Sequence, residues 1–174
     1  MFGLKYCGKI QTEEQLRKYK YQYYNGNGIG IPSDIRLGDN MYEDVNGDGV
    51  LDEKDYVYLG SDDPKISYSF NLGLEWNNFD FSAVFQGVAK RTIFRDSSND
   101  NYRIPMKAAH LNSTTQSVGD VWSPENRGGR YPTYTNINSI NDYNYQCSSW
   151  SVENGNYLRL KSVTLGYNFP TSLL

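Results

Sequence analysis

Residues 66–76 alternate strictly. Ile66, Tyr68, Phe70, Leu72, Leu74 and Trp76 are apolar or aromatic, and Ser67, Ser69, Asn71, Gly73 and Glu75 between them are small or polar. A period of two held over 11 residues specifies a strand with one apolar face. Asn77-Asn78 then offers a tight turn. A second strand follows, with Phe79, Phe81, Ala83 and Phe85 on one face and Asp80, Ser82 and Gln86 on the other; Val84 breaks the pattern. Near the C-terminus Val163, Leu165, Tyr167 and Phe169 alternate with Ser162, Thr164, Gly166 and Asn168, until Pro170 stops the strand.

These strands meet at a tight turn on one side and at long connections on the other. Strands are expected near 1–7, 65–76, 79–88 and 156–169, with loops over 8–64 and 89–155. Eleven residues at roughly 3.3 Å each, tilted about 45°, rise about 25 Å, the height of the apolar band of an outer-membrane barrel. The large aromatics on one face, the small residues on the other and the one-sided long loops suit such a wall. A soluble sandwich carries the same alternation with its apolar face turned inward, so the pattern alone leaves both open. Either way the fold class is all-β and antiparallel.

Composition narrows the function. The 174 residues suffice for one ordinary domain. A net charge of −3 without a basic stripe argues against nucleic acid as a partner. No apolar run is long enough for a transmembrane helix. The 16 Tyr, 7 Phe and 3 Trp suit a β-rich surface, a sugar-binding face or a membrane barrel. Met1–Tyr6 lacks the basic start and apolar core of a signal peptide. Cys7 and Cys147 alone define no disulfide framework.

Asp44 to Asp55 follows the twelve-residue calcium loop. Asp44, Asn46 and Asp48 fall at positions 1, 3 and 5, and Gly49 at the sharp turn. Val50 offers its carbonyl at position 7, Asp52 sits at 9, and Asp55 replaces the usual Glu at 12. Residues 43–55 hold six acids and one Lys, and hard oxygen donors at this spacing suit Ca²⁺. A solvated turn cluster is the alternative. The flanks, Ile35–Gly38 and Tyr56–Gly60, do not read as helices, so the expectation is a structural loop rather than an opening sensor.

Elsewhere, Gln11–Lys20 reads as a short helix, with Thr12 and Gln15 forming a capping box. The glycines from Gly26 to Gly30 make a loop without a dinucleotide fingerprint. Residues 89–155 lack a sustained pattern, and a connection this long is usually functional. Within it, Tyr131, Tyr134, Tyr143, Tyr145 and Trp150 could stack on sugar rings or pack the loop upon itself. His110 has no nucleophile motif near it. Asp120 and Glu125 beside Trp122 arise readily by chance as a carboxylate pair. Asn112-Ser113-Thr114 matches a glycosylation sequon. Lys90, Arg91 and Arg95 read as a solvated rim.

Several segments together resemble the SusC/RagA family of TonB-linked outer-membrane transporters. They are Tyr42–Asp52 followed by Leu59-Gly60 and Pro64-Lys65, then Phe79–Gly87, Trp122-Ser123-Pro124-Glu125-Asn126 and Asn156–Tyr167, with Gln11–Glu14 as a further counterpart. They run in family order over most of the chain. The resemblance implies a barrel of about 22 strands with a plug in its lumen. Of this the chain would supply about four strands and two extracellular loops near the C-terminus, in the cell outer membrane and against its lipid. It further implies a SusD-like surface lipoprotein as partner, an oligosaccharide or peptide as ligand, and a TonB complex reached through a part outside this chain. No bond is made or broken, so no enzyme is expected.

A second class stays open: a secreted, calcium-stabilised β-module that binds carbohydrate or protein. The placement of Phe70, Leu72, Leu74, Phe81, Phe85 and Leu165 separates the two. They contact lipid in a transporter wall and are buried in a soluble module.

Overall fold

The computed structural model describes residues 1–23, 29–95 and 119–170. In chain order these form β1 (Phe2–Gly3), β2 (Tyr6–Lys9), α1 (Glu13–Tyr23), β3 (Asn40–Tyr42), β4 (Val57–Tyr58), β5 (Ile66–Trp76), β6 (Phe79–Ala89), β7 (Thr92–Phe94), α2 (Asn138–Asn144), β8 (Val152–Asn154) and β9 (Tyr157–Tyr167). They fall into two compact units. One comprises Met1–Leu59 and Phe94–Val152, the other Gly60–Ile93 and Glu153–Leu174.

The second unit is an antiparallel sheet of order β5-β6-β9. The alternation of β5 matches that of β6 because the two pair along their whole length, from Ile66 opposite Ala89 to Trp76 opposite Phe79. Asn77 takes the positive φ, 54°, that the two-residue hairpin turn requires. β6 pairs in turn with β9, from Phe79 opposite Tyr167 to Val88 opposite Tyr157. The register shifts once, between Val84 and Phe85. Beyond that bulge, Phe85 faces Leu160 and Gly87 faces Leu158. Without it, Leu158 and Leu160 would fall on the face of Ser162 and Thr164, because side chains alternate with a period of two.

The sheet holds three long strands, where four were expected. The segment expected as a strand over residues 1–7 forms instead two short strands, β1 pairing with β4 and β2 with β3. Gly3 can approach so closely only because it lacks a Cβ, which would meet the Cys147 carbonyl at 2.5 Å.

The first unit packs its core from Leu4, Ile10, Tyr19, Ile31, Ile35, Tyr42, Leu51 and Tyr143. The expected helix is present as α1, running three residues beyond Lys20. Its start uses the expected residues in an altered way. Thr12 Oγ1 accepts from the Gln15 amide at 3.2 Å, but the Gln15 side chain accepts from Gln11 rather than from Thr12. α2 lies in the stretch without sequence periodicity. At seven residues it is too short to stand alone, and tertiary contacts of Ile140, Asn141, Tyr143 and Asn144 hold it.

Candidate functional site

The sheet has two chemically distinct faces. Ile66, Tyr68, Phe70, Leu72, Leu74 and Trp76 share one face with Phe79, Phe81 and Phe85, and with Leu158, Leu160, Val163, Leu165 and Tyr167. The six on β5 are all exposed, from 39% at Tyr68 to 69% at Trp76, and Leu165 is 70% exposed. Full burial of such a side chain is worth about 1.5–3 kcal/mol. Half-exposing the β5 set in water therefore forgoes roughly 5–9 kcal/mol, comparable to the whole stability of a domain. A face this apolar needs an apolar neighbour.

Cross-strand packing makes the face continuous. Phe70 stacks on Phe85 at 4.6 Å, and the Tyr68 ring lies over Gly87, where a Cβ would come within 2.5 Å of it. By the hairpin turn, Phe79 meets Tyr167 at 4.7 Å and Tyr167 meets Phe169 at 5.1 Å. Leu74, Trp76, Phe79, Phe81 and Leu165 enclose an open apolar depression of about 360 Å³ there. Aromatic rings thus gather at the hairpin end of the apolar band. The opposite face carries Ser67, Ser69, Asn71, Gly73, Glu75, Asp80, Ser82, Ser162, Thr164 and Gly166, with Val84, Gln86, Val88, Tyr157 and Arg159 toward the end away from the hairpin turn. The Asp80 carboxylate folds across Gly166.

The acidic loop of the first unit is a chain of side-chain-to-backbone hydrogen bonds. Asp44 accepts from Gly47 and Gly49 at 2.6 and 2.7 Å, Asn46 from Asp48 at 2.8 Å, and Asp48 from Val50 at 2.9 Å. Gly49 turns with φ 82°, as position 6 demands. Buried Asp55 closes the loop, accepting from Val45 at 2.8 Å and from Asp52 at 3.0 Å. The Lys54 ammonium lies 3.5 Å from Asp52 and 3.7 Å from Asp48, and those two carboxylates raise its pKa. The flanks are β3 and β4, not helices. The donor set is the hard oxygen set Ca²⁺ prefers, and each carboxylate keeps lone pairs beyond those bonded here. Among the described residues, however, no group of three or more Asp, Glu, His or Cys side chains converges on one point.

The five aromatic residues separate. Tyr131 and Tyr145 flank Trp150, with ring centroids 6.1 and 5.6 Å away, and Tyr134 is exposed on its own. Tyr143 and Tyr145 are 2% and 3% exposed, so neither offers a ring face to a sugar. That expectation is corrected for both: they anchor the unit's interior. The Trp150 indole donates to the Arg130 carbonyl at 3.2 Å. His110 and Asn112-Ser113-Thr114 lie outside the described residues. Cys7 and Cys147 form no disulfide.

The polar interior is what the sequence concealed. Tyr19 and Tyr143 share a hydroxyl hydrogen bond of 2.6 Å, and the Tyr42 amide donates to the Tyr19 hydroxyl at 2.8 Å. The Tyr42 hydroxyl donates to the carbonyls of Tyr143 and Asn144, both at 3.0 Å. Asn144 accepts from the Asn40 amide through Oδ1 and donates through Nδ2 to Asp39, each at 2.8 Å. Trp122 of the Trp-Ser-Pro-Glu-Asn segment is buried and donates to Gln11 at 2.9 Å, while Ser123 and Asn126 close a turn on each other. That segment is scaffold.

Burial pushes the phenols of Tyr19, Tyr42 and Tyr143 up, out of the ordinary tyrosine range. A raised folded pKa contributes stability that is complete below the unfolded value of about 10 and is lost as pH climbs toward the folded one. In an alkaline titration followed by phenolate absorbance, these three are expected to ionise only as the unit unfolds. Titration of every tyrosine near pH 10 with the fold intact would contradict this.

No family model matches the chain. It is 31% identical over 179 aligned residues to TonB-dependent receptor P26 of Formosa agariphila, covering 97% of this chain and 15% of the receptor. It is 27% identical over 161 residues to receptor P3 of the same organism, covering 90% of this chain and 15% of that receptor. TonB-dependent receptor SusC of Bacteroides thetaiotaomicron is 22% identical over 157 residues, covering 87% of this chain and 13% of SusC. The chain thus spans at most 15% of the length of these curated relatives.

Proposed function

We propose that the chain, similar over nearly its whole length to part of the TonB-dependent receptors, builds part of the wall and outer loops of an outer-membrane transporter. The observation that carries this is the exposed apolar face of β5, β6 and β9, backed by a mostly polar face. The apolar face meets lipid and the polar face lines the lumen. Of the six residues that separate the two classes, Phe70, Leu72, Leu74 and Leu165 stand exposed and Phe81 and Phe85 are half-buried, where the soluble calcium module would need all six buried. The first unit lies extracellularly. The assembled transporter takes up an oligosaccharide or peptide with a SusD-like surface lipoprotein, energised through TonB, and catalyses no covalent step.

The test is purification of the tagged receptor from detergent-solubilised outer membranes. A surface lipoprotein is expected to co-purify in near-equal amount. Recovery of the chain in the culture medium as a water-soluble protein would return the secreted module to first place.

In this reading Asp44, Asn46, Asp48, Asp52 and Asp55, with the Val50 carbonyl, hold a Ca²⁺ that takes the place of the Lys54 ammonium. The ligand spacing and the Gly49 turn support it. Lys54→Gln is expected to tighten Ca²⁺ several-fold by removing the competing cation, and Asp48→Asn to weaken it at least as much. Terbium luminescence with Ca²⁺ competition reads both. A signal indifferent to Ca²⁺ in the natural protein and in Lys54→Gln would leave the loop as a hydrogen-bonded turn.

A further inference from the structure

Among the described residues the dipeptide Asn-Gly occurs at Asn46-Gly47, in the acidic loop, and at Asn154-Gly155, where β8 ends. In such a pair the glycine nitrogen can attack the asparagine side chain, since no Cβ obstructs the approach. The two asparagines share a local fold. Asn46 Oδ1 accepts from the Asp48 amide at 2.8 Å, and Asn154 Oδ1 from the Asn156 amide at 2.9 Å. Each is an Asx turn. Each amide also stands where it would stabilise the oxygen that turns negative when the side-chain carbonyl is attacked. The pairs differ at the attacking nitrogen. Gly47 N–H donates to the Asp44 carboxylate at 2.6 Å, whereas Gly155 N–H donates to the Arg91 main-chain carbonyl at 2.9 Å. A carboxylate at hydrogen-bond distance can take a proton, and a main-chain carbonyl cannot.

They differ also in room. Asn46 and Gly47 are exposed, and a Cβ on Gly47 would meet nothing within 4 Å. Gly155 is buried, and a Cβ there would meet Ile93 and Arg91 at 2.9 and 3.1 Å. Asn46 Nδ2 donates to the Asp48 carboxylate at 3.1 Å, so the side-chain amide is held at both its oxygen and its nitrogen. We infer that Asn46 is a site of self-modification, at which the Gly47 nitrogen closes a succinimide on Asn46 Cγ with Asp44 as the base. The N–Cγ bond forms as the Gly47 proton passes to Asp44, and the oxyanion rests on the Asp48 amide. The Cγ–Nδ2 bond then breaks. The departing nitrogen regains one proton, released by Asp44 through solvent, and leaves as ammonia. Water opens the ring at either carbonyl, which leaves an aspartyl or an isoaspartyl residue at position 46. Both products add a negative charge between Asp44 and Asp48. The isoaspartyl form also lengthens the main chain by one carbon, and so ends the spacing by which Asp44 reaches both Gly47 and Gly49.

This inference goes beyond the transport reading and does not draw on it. The full receptor, purified in detergent, is held for several days at neutral pH with EGTA, so that Ca²⁺ has no part in the outcome. Tryptic fragments Leu37–Lys54 and Tyr131–Arg159 are then sequenced by mass spectrometry. Conversion at position 46 is expected at least about tenfold faster than at 154, the low end of what a placed general base supplies. Buried Asn40, in the same fragment as Asn46, is expected to stay intact. An isoaspartyl product should accompany the aspartyl one, because direct hydrolysis by water yields only the second. Asp44→Asn keeps an oxygen that can accept from Gly47 but no longer takes its proton. It is expected to slow conversion at 46 about threefold or more, and to leave the rate at 154 unchanged, which reports an intact fold. Equal rates at 46 and 154 would reduce the reaction to a property of the dipeptide and overturn the assignment. So would a product without isoaspartate, or a rate in Asp44→Asn at or above the natural one, which would make the Asp44 contact a restraint.

Discussion

Leu72→Arg is expected to all but remove the receptor from the outer membrane. Leu72 sits midway along β5, exposed, opposite Ala83 and in line with Val163. An arginine facing lipid at the bilayer midplane costs about 2–4 kcal/mol, and the loss acts at assembly, before flanking strands have closed around it. The neighbouring Asn71→Arg points to the polar face and is expected to accumulate normally. Immunoblots of outer-membrane fractions compare the two. Equal accumulation would contradict the two-faced wall, and a greater loss for Asn71→Arg would reverse the faces.

Asn144→Leu should unfold the first unit while leaving the β5-β6-β9 sheet assembled. Asn144 is fully buried, and its side chain satisfies the Asn40 amide and an oxygen of Asp39. Each buried group left unpaired costs about 1–3 kcal/mol, more where charged. The sum, roughly 2–6 kcal/mol, rivals the stability of a small unit. Burial already raises the Asp39 pKa, and the Asn144 amide is the first influence opposing that rise. Without it the folded pKa rises further. Stability linked to a raised pKa is present below the unfolded value and lost as pH climbs through the folded one, so the deficit of Asn144→Leu widens from pH 4 upward. Asn144→Asp sets a second carboxylate against Asp39, and should be worse than Asn144→Leu at neutral pH and partly recover in acid. Limited trypsin cleavage of the intact receptor at Lys18 and Lys20, over a pH series, measures all three. Unchanged cleavage would show that α2 does not hold the unit.

What the sequence disclosed follows the same physics. β5 and β6 are legible because one face is uniformly apolar, and a one-residue slip would turn every side chain over. The acidic loop is legible because its glycines and oxygens sit at fixed spacing. The bulge in β9 was signalled only by the change of parity between Leu158-Leu160 and Val163-Leu165. α2 could not be read, because an Asn-rich segment has no helical period and is folded by its neighbours. Tyr143 illustrates the same limit. An aromatic ring in a polar stretch serves equally as ligand platform or as core, and only the partners of its hydroxyl decide.

The bulge also limits how a gene for such a wall can change length. Upstream of it, Leu158 and Leu160 stay with Phe85 and Gly87; downstream, Val163 and Leu165 stay with Ala83 and Phe81. Losing Lys161 or Ser162 would remove the offset and turn one half of β9 inside out. A single-codon insertion or deletion within a strand therefore turns part of it over unless a bulge absorbs the offset, as it does in β9, whereas paired changes preserve sidedness without one. Changes of length are channelled into the loops by a parity rule written in the sheet.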